Sequence, residues 1–157
     1  MIIGIVAVDR NGAIGKDGNL PWHYSADMKF FKETTTGNAV VMGHNTWLSL
    51  KKPLPNRLNI VLSRRSEVEP QDSVLLLREV QSVLKTAGSL EGDLYVIGGE
   101  QVYQSFLPYI EKWIVTEVPL MIEDADAFIP KDYLEDFRAV GSRELEDNLI
   151  ARFYERA

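Results

Sequence analysis

The sequence predicts an α/β fold in which a central, mostly parallel sheet with an antiparallel C-terminal edge is flanked by helices. Three observations predict it. Short β-branched runs at Ile2–Val8, Ala39–Gly43, Leu58–Leu62 and 94–97 are apolar at consecutive positions, as strands covered on both faces are. Stretches with helical spacing separate these runs. The last fifth instead alternates, around 137–141 and 149–154, like an antiparallel hairpin.

Each element has its own local signal. After the first strand, Asp9-Arg10-Asn11-Gly12 begins a long stretch of turn residues reaching Gly18-Asn19 and then Leu20-Pro21-Trp22. Ser25 is placed to N-cap a helix carrying Phe30, Phe31 and Lys32, which should stop near Gly37-Asn38. After the 39–43 strand, His44 to Leu48 reads as a short helix. The 58–62 strand is followed by a further strand at 74–77 and a helix from Val80 to Ala87 that Gly88 ends. The 94–97 strand runs into Gly98-Gly99 and a helix from Glu100 to Leu107, and a strand at 113–118 precedes the hairpin.

Composition limits the function. At 157 residues the expectation is one domain, 1–157, large enough to bury a core without disulfides or metal. Cysteine is absent, which removes disulfides, thiolate zinc sites and cysteine nucleophiles together. Only two histidines, His23 and His44, argue against a histidine-built metal site, and no metal is expected. Seventeen Lys and Arg against 23 Asp and Glu give a net charge of −6, which disfavours nucleic acid and anionic membranes. No signal peptide or spanning segment is legible, so a soluble, cytoplasmic protein is expected, and with no surplus apolar helix face asking for a partner, a monomer.

Ligands in such sheets bind beyond the carboxyl ends of the strands. Three constellations lie there. Gly98-Gly99 between a strand and a helix suits either a pyrophosphate on backbone N–H groups or simply a tight turn; it is neither a dinucleotide fingerprint nor a P-loop. Gly43-His44-Asn45-Thr46-Trp47 is a second strand end that opens a helix. Between Lys51 and Arg65 the chain holds five cations and no acid. Lys51 and Lys52 suit a solvated face, whereas Arg57 follows the stiff Pro53-Leu54-Pro55-Asn56 and presents a fixed fork to a carboxylate. Ser63-Arg64-Arg65-Ser66 suits a phosphate monoester. Finally, Asp27 shares a helix face with Phe31 and Thr34, with Met28 beside it. A lone acid on an apolar stripe should have a raised pKa and could handle a proton near neutrality, although a first-turn Asp also complements the helix dipole. The Trp22 indole could hold a water there or simply pack.

In order and near its spacing, these segments resemble dihydrofolate reductase. The pieces are Ile14-Gly15 with Leu20-Pro21-Trp22, Asp27 with Phe31-Lys32, Gly43 with Thr46-Trp47, Pro53 to Arg57, Ile60 to Ser63, and Ile97-Gly98-Gly99 with Tyr103. The resemblance implies NADPH-dependent reduction of 7,8-dihydrofolate to tetrahydrofolate on that family's fold. It implies that Asp27 holds the pterin, with Thr116 supporting it, Trp22 holding a water and Leu20 closing over the nicotinamide. It places Met28, Phe31, Leu50 and Leu54 around the aminobenzoyl ring, Arg57 on the α-carboxylate and Lys32 near the outer one. The Ile5 and Ile97 carbonyls would meet antifolate inhibitors. For NADPH it implies Ala7, Ile14 and Tyr103 at the nicotinamide, and Gly43, His44, Asn45, Thr46, Gly98, Gly99, Glu100 and Gln101 at the pyrophosphate. Ser63, Arg64 and Arg65 would take the 2′-phosphate, with Gly15, Asn19, Leu20, Leu62, Ile97 and Val102 completing the site.

Two positions depart from the family pattern. His44 stands where Arg is usual, so phosphate binding should lean on Arg64 and Arg65. Ala127 in Asp126-Ala127-Phe128-Ile129-Pro130 lacks the usual threonine hydroxyl, so loop coupling around Asp126 should weaken. A pterin- or pyrimidine-reducing relative need not keep Asp27 or Arg57. A nucleotide-binding regulatory module would keep the glycine sites and dispense with Asp27, Trp22 and Thr116.

Overall fold

Alternating apolar runs and amphipathic stretches become strands β1 (Ile2–Val8), β2 (Ala13–Gly15), β3 (Ala39–Gly43), β4 (Leu58–Leu62), β5 (Val74–Leu77), β6 (Leu94–Val96), β7 (Lys112–Glu117), β8 (Ala127–Phe128), β9 (Phe137–Glu144) and β10 (Ile150–Arg156). The helices are α1 (Ser25–Thr35), α2 (His44–Ser49), α3 (Val80–Gly88) and α4 (Glu100–Phe106). This computed structural model describes residues 1–16 and 22–157. Asn19, Leu20 and Pro21 lie outside the described residues.

Eight strands form one sheet in the order β5-β4-β3-β6-β1-β7-β10-β9. The first six are mutually parallel, and β10 runs antiparallel to both β7 and β9. Period-two alternation divides the core between the faces. Ile3, Ile5, Val40, Met42, Val61, Tyr95 and Ile114 bury on the face that Phe30 of α1 covers. Val6, Val8, Val41, Ile60, Val96 and Val115 bury on the other, under Val83 of α3 and Val102 and Phe106 of α4. Gly4 is the one place in β1 where a side chain cannot fit: a Cβ there would stand 2.5 Å from the Trp113 ring.

Three local expectations are corrected. Ser25 is the first residue of α1, not its cap; Tyr24 occupies the cap position without a side-chain bond. Gly88 is the last residue of α3, which Ser89 caps in a right-handed conformation. The turn-rich stretch after β1 is partly sheet, because β2 pairs antiparallel with β8 as a separate two-stranded ribbon. That ribbon also answers the expectation about Ala127. The two segments are joined by main-chain bonds, Asp126 N–H to Gly15 O at 3.2 Å and Ile129 N–H to Gly12 O at 2.9 Å, which need no threonine hydroxyl.

Candidate active site

The carboxyl ends of β1, β3, β4, β6 and β7 open into one cleft of about 2240 Å³. A single small-molecule site takes roughly 300–1,000 Å³, so two ligands fit side by side. Of the site residues expected from the sequence, those described all line this cleft except Trp22, which lies behind Asp27. Asn19 and Leu20 lie outside the described residues.

The α1 side is largely apolar with Asp27 and Arg57 set into it and Lys29 and Lys32 also on its lining. Phe31, Leu50, Leu54 and Ile97 pack on the same core cluster as Ile5 and Phe30. Met28 stands at the rim, 56% exposed. Asp27 enters between these groups, and burial raises its pKa above the ordinary 3.8. The Trp22 Nε1 draws it partly back down. The indole N–H is the donor nearest that carboxyl, although it does not reach full hydrogen-bonding geometry with any of the described residues. Thr116 faces the same cleft from β7, in register with Ala7 and only 2% exposed.

Arg57 is the second charge. It is 6% exposed, donating from Nε to Pro55 O at 3.0 Å and from Nη1 to Thr35 Oγ1 at 2.9 Å, with the guanidinium 5.9 Å from the Phe31 ring centre. Burial lowers its pKa, and it makes no salt bridge among the described residues. A buried guanidinium with free donors facing a cleft is built to receive an anion.

The opposite side is made of backbone. Gly43 N–H donates to Gly98 O at 2.8 Å, bringing the starts of α2 and α4 together. A Cβ at Gly99 would fill the space beside Thr46 Oγ1 at 3.6 Å. Gly98, at φ +117°, lies against the Tyr103 ring and takes a conformation L side chains rarely adopt. Tyr103, on the first turns of α4, donates its hydroxyl to Ile5 O at 2.7 Å. Burial and the nearby Asp27 both raise its pKa, so it remains a donor. Glu100 is exposed in the first turn of α4, at the rim of the same cleft.

At the end of β4, Ser63 Oγ accepts from Ser66 N–H at 3.1 Å and closes a turn that carries the exposed Arg64 and Arg65. Neither arginine has an acidic partner among the described residues. Sequence reasoning missed Arg78, which also lines the cleft and fixes this turn by donating to Ser63 O and to Ser66 O at 2.6 Å. The signal was available: Leu62 and Leu77 are parallel partners, so the next residues, Ser63 and Arg78, end their strands side by side. Among the described residues no group of three His, Cys, Asp or Glu is placed to hold a metal ion.

The dihydrofolate reductase family model matches residues 1–154. Dihydrofolate reductase of Mycobacterium leprae is 41% identical over 137 residues, 82% of this chain and 81% of its own. That of Staphylococcus haemolyticus is 35% identical over 136 residues, 87% of this chain and 80% of its own. A solved structure of dihydrofolate reductase from Enterococcus faecalis, complexed with NADP(H) and RAB-propyl, superposes with a TM-score of 0.90 at 31% identity, covering 99% of this chain and 96% of that one.

Proposed function

The chain belongs to the dihydrofolate reductase family, and from that premise we propose how its own residues reduce 7,8-dihydrofolate to tetrahydrofolate. It is an NADPH-dependent oxidoreductase. The carrying observation is the pairing of two half-sites in one cleft: a desolvated carboxyl and a buried unpaired guanidinium on one side, and a glycine-lined backbone cradle with free arginines on the other.

The glycine cradle fits the cofactor, since Gly43, Gly98 and Gly99 keep open the space that side chains would fill. NADPH, when bound, supplies the hydride that reaches C6 of the substrate. The first-turn N–H groups of α2 and α4 hold its pyrophosphate, with Thr46 and Gln101 alongside. Ser63, Arg64 and Arg65 take the 2′-phosphate, and Ala7, Ile14, Gly15 and Tyr103 line the nicotinamide. Asp27 accepts from the pterin N3 and 2-amino group and favours protonation at N5, in an apolar setting that strengthens both effects. Trp22 Nε1 holds a water beside that carboxyl, and Thr116 supports it. Phe31, Leu50 and Leu54 enclose the aminobenzoyl ring, Arg57 grips the α-carboxylate and Lys32 stands near the outer one. The Ile5 carbonyl, already accepting from Tyr103, has a second lone pair for the 4-amino group of an antifolate, with Ile97 beside it.

No helix among the described residues is long and apolar enough to cross a membrane. Of the exposed large apolar side chains, Met28, Leu48, Tyr109, Phe128 and Val140 sit on separate segments, and Met1 and Met121 lie outside helices and strands. That scatter supports a monomer. The test is direct: the purified chain mixed with NADPH and dihydrofolate should consume the absorbance of the reduced nicotinamide, and should do so poorly with NADH. Binding of both ligands without turnover would overturn this reading in favour of a nucleotide-binding module.

A further inference from the structure

Asn59 is a polar side chain in a strand that is otherwise apolar. It belongs to β4, is 0% exposed, and alternation puts it with Val61 on the face that α1 covers. A buried amide needs partners for its N–H groups and its oxygen, and here all of them come from the segment before the strand. The Asn59 Oδ1 accepts from Leu54 N–H at 2.9 Å. Its Nδ2 donates to Leu54 O and to Arg57 O, both at 3.0 Å. One donor and two acceptors around the amide also fix which end of it is oxygen.

The sheet holds Asn59 from both sides. It pairs with Val40 of β3 and Val74 of β5, and its own N–H donates to Ser73 O at 2.8 Å. The segment that it grips turns at Asn56, whose φ is +60° and whose carbonyl accepts from Gly37 N–H at 2.9 Å. Arg57 leaves that turn with its guanidinium bonded to Pro55 O and to Thr35 Oγ1. The main chain and the side chain of Arg57 are therefore fixed separately, the first by Asn59 and the second by the residues around the guanidinium. A fork that makes two parallel bonds to a carboxylate does so along one approach, so its aim matters.

We propose that Asn59 is a positioning residue for the substrate's carboxylate: its amide pins the main chain at Leu54 and Arg57 to the sheet and so aims the Arg57 fork into the cleft. This rests on the proposed grip of Arg57 on the α-carboxylate. Asn59 touches no ligand; it acts through the 54–57 segment.

Asn59→Ala removes all three bonds and no charge. Calorimetry should show dihydrofolate bound about tenfold more weakly, the scale of losing one of the two fork bonds. NADPH, and the same pterin and aminobenzoyl group without glutamate, should bind within about twofold of the parent. In an Arg57→Leu chain the same substitution should change dihydrofolate affinity by less than about twofold, because the group it aims is gone. A merely structural Asn59 would weaken dihydrofolate by the same factor in both backgrounds and the glutamate-free ligand with it. Either result overturns the proposal, as does unchanged dihydrofolate affinity in the single variant.

The unaltered protein supplies a second measurement, which stands even if the variant fails to fold. Coupling is reciprocal, so a filled fork should steady the segment that carries it. Dihydrofolate should slow hydrogen exchange of the Asn59 side-chain amide at least tenfold, while NADPH and the glutamate-free ligand leave it unchanged. No slowing, or equal slowing by the glutamate-free ligand, overturns the proposal. Failure of Arg57→Leu alone to weaken dihydrofolate would remove the clamp and this proposal with it. Failure of the parent to turn over bound dihydrofolate would sink the functional reading alone, because calorimetry and exchange judge the clamp without turnover.

Discussion

Replacing Arg57 by Leu removes a guanidinium that the fold has buried without an acid. Arg carries five N–H donors, and two are used within the protein, on Pro55 O and Thr35 Oγ1. Three remain, enough for the two parallel bonds a carboxylate accepts. Hydrogen bonds to charged groups contribute roughly 1.5–3 kcal/mol each, and two sharing one rigid fork should together be worth about 3 kcal/mol, or about 150-fold in affinity. The folded chain should tolerate the change. Thr35 Oγ1 still donates to Phe31 O at 2.8 Å, the Pro55 residue is exposed, and a desolvated cation is gone. Titration by fluorescence should therefore show dihydrofolate binding weakened about 150-fold, NADPH binding unchanged and the melting temperature within a few degrees of the parent. A pterin lacking the glutamate should not sense the substitution. Dihydrofolate affinity within threefold of the parent would refute the reasoning, because the free donors would then face no carboxylate.

Asp27→Asn should lose on the order of 10²–10⁴ in turnover at neutral pH, with partial recovery as acid lets solvent protonate the substrate; steady-state rates across pH check this. Burial raises the Asp27 pKa, so the folded chain binds that proton more tightly than the unfolded one, and this contribution to stability is lost as pH rises through the folded value. Denaturant titrations should accordingly find Asp27→Asn more stable than the parent at neutral pH, the gap closing below about pH 3.8. Arg64→Ala with Arg65→Ala should collapse the NADPH over NADH preference in kcat/KM while leaving kcat at saturation nearly intact, and high salt should mimic part of the loss in the parent. An unchanged ratio would make them a solvated charge run. Gly98→Ala forces a side chain into φ +117° and to 3.2 Å from the Tyr103 ring, so thermal melts should show a loss of about 1–3 kcal/mol.

Most strands were readable because their apolar runs fill both faces of a covered sheet, a pattern carried by β1, β3 and β4 without help from distant residues. The ribbon of β2 and β8 was not readable. Its strands have three and two residues, too few for periodicity, and their pairing depends on partners more than a hundred positions apart. Asp27 stood out because an acid on an apolar helix face is chemically unusual, and Arg57 because two prolines stiffen its approach. Asp9 stayed hidden for the opposite reason. Asp at the head of Asp9-Arg10-Asn11-Gly12 is ordinary turn chemistry, and only the fold shows its second oxygen reaching Ile122. Arg78 was hidden by register, since strand neighbours must be known before it can be set beside Ser63.

The position of β1 governs how the chain can assemble during synthesis. It emerges before every other strand, yet its neighbours are β6 and β7, in the pairings Ile2 with Leu94 and Ile3 with Lys112. A ribosome must make more than a hundred residues before the middle of the sheet can close. Until then β3, β4 and β5 can form a parallel sheet of their own, while Ile3, Ile5 and Val6 wait, first for β6 and then for β7. Non-local parallel pairing of this kind is slow and leaves apolar strand surface exposed in the interval. The oldest strand in the nascent chain is thus among the last to be satisfied, and truncated products ending before β7 would keep one of its edges permanently open.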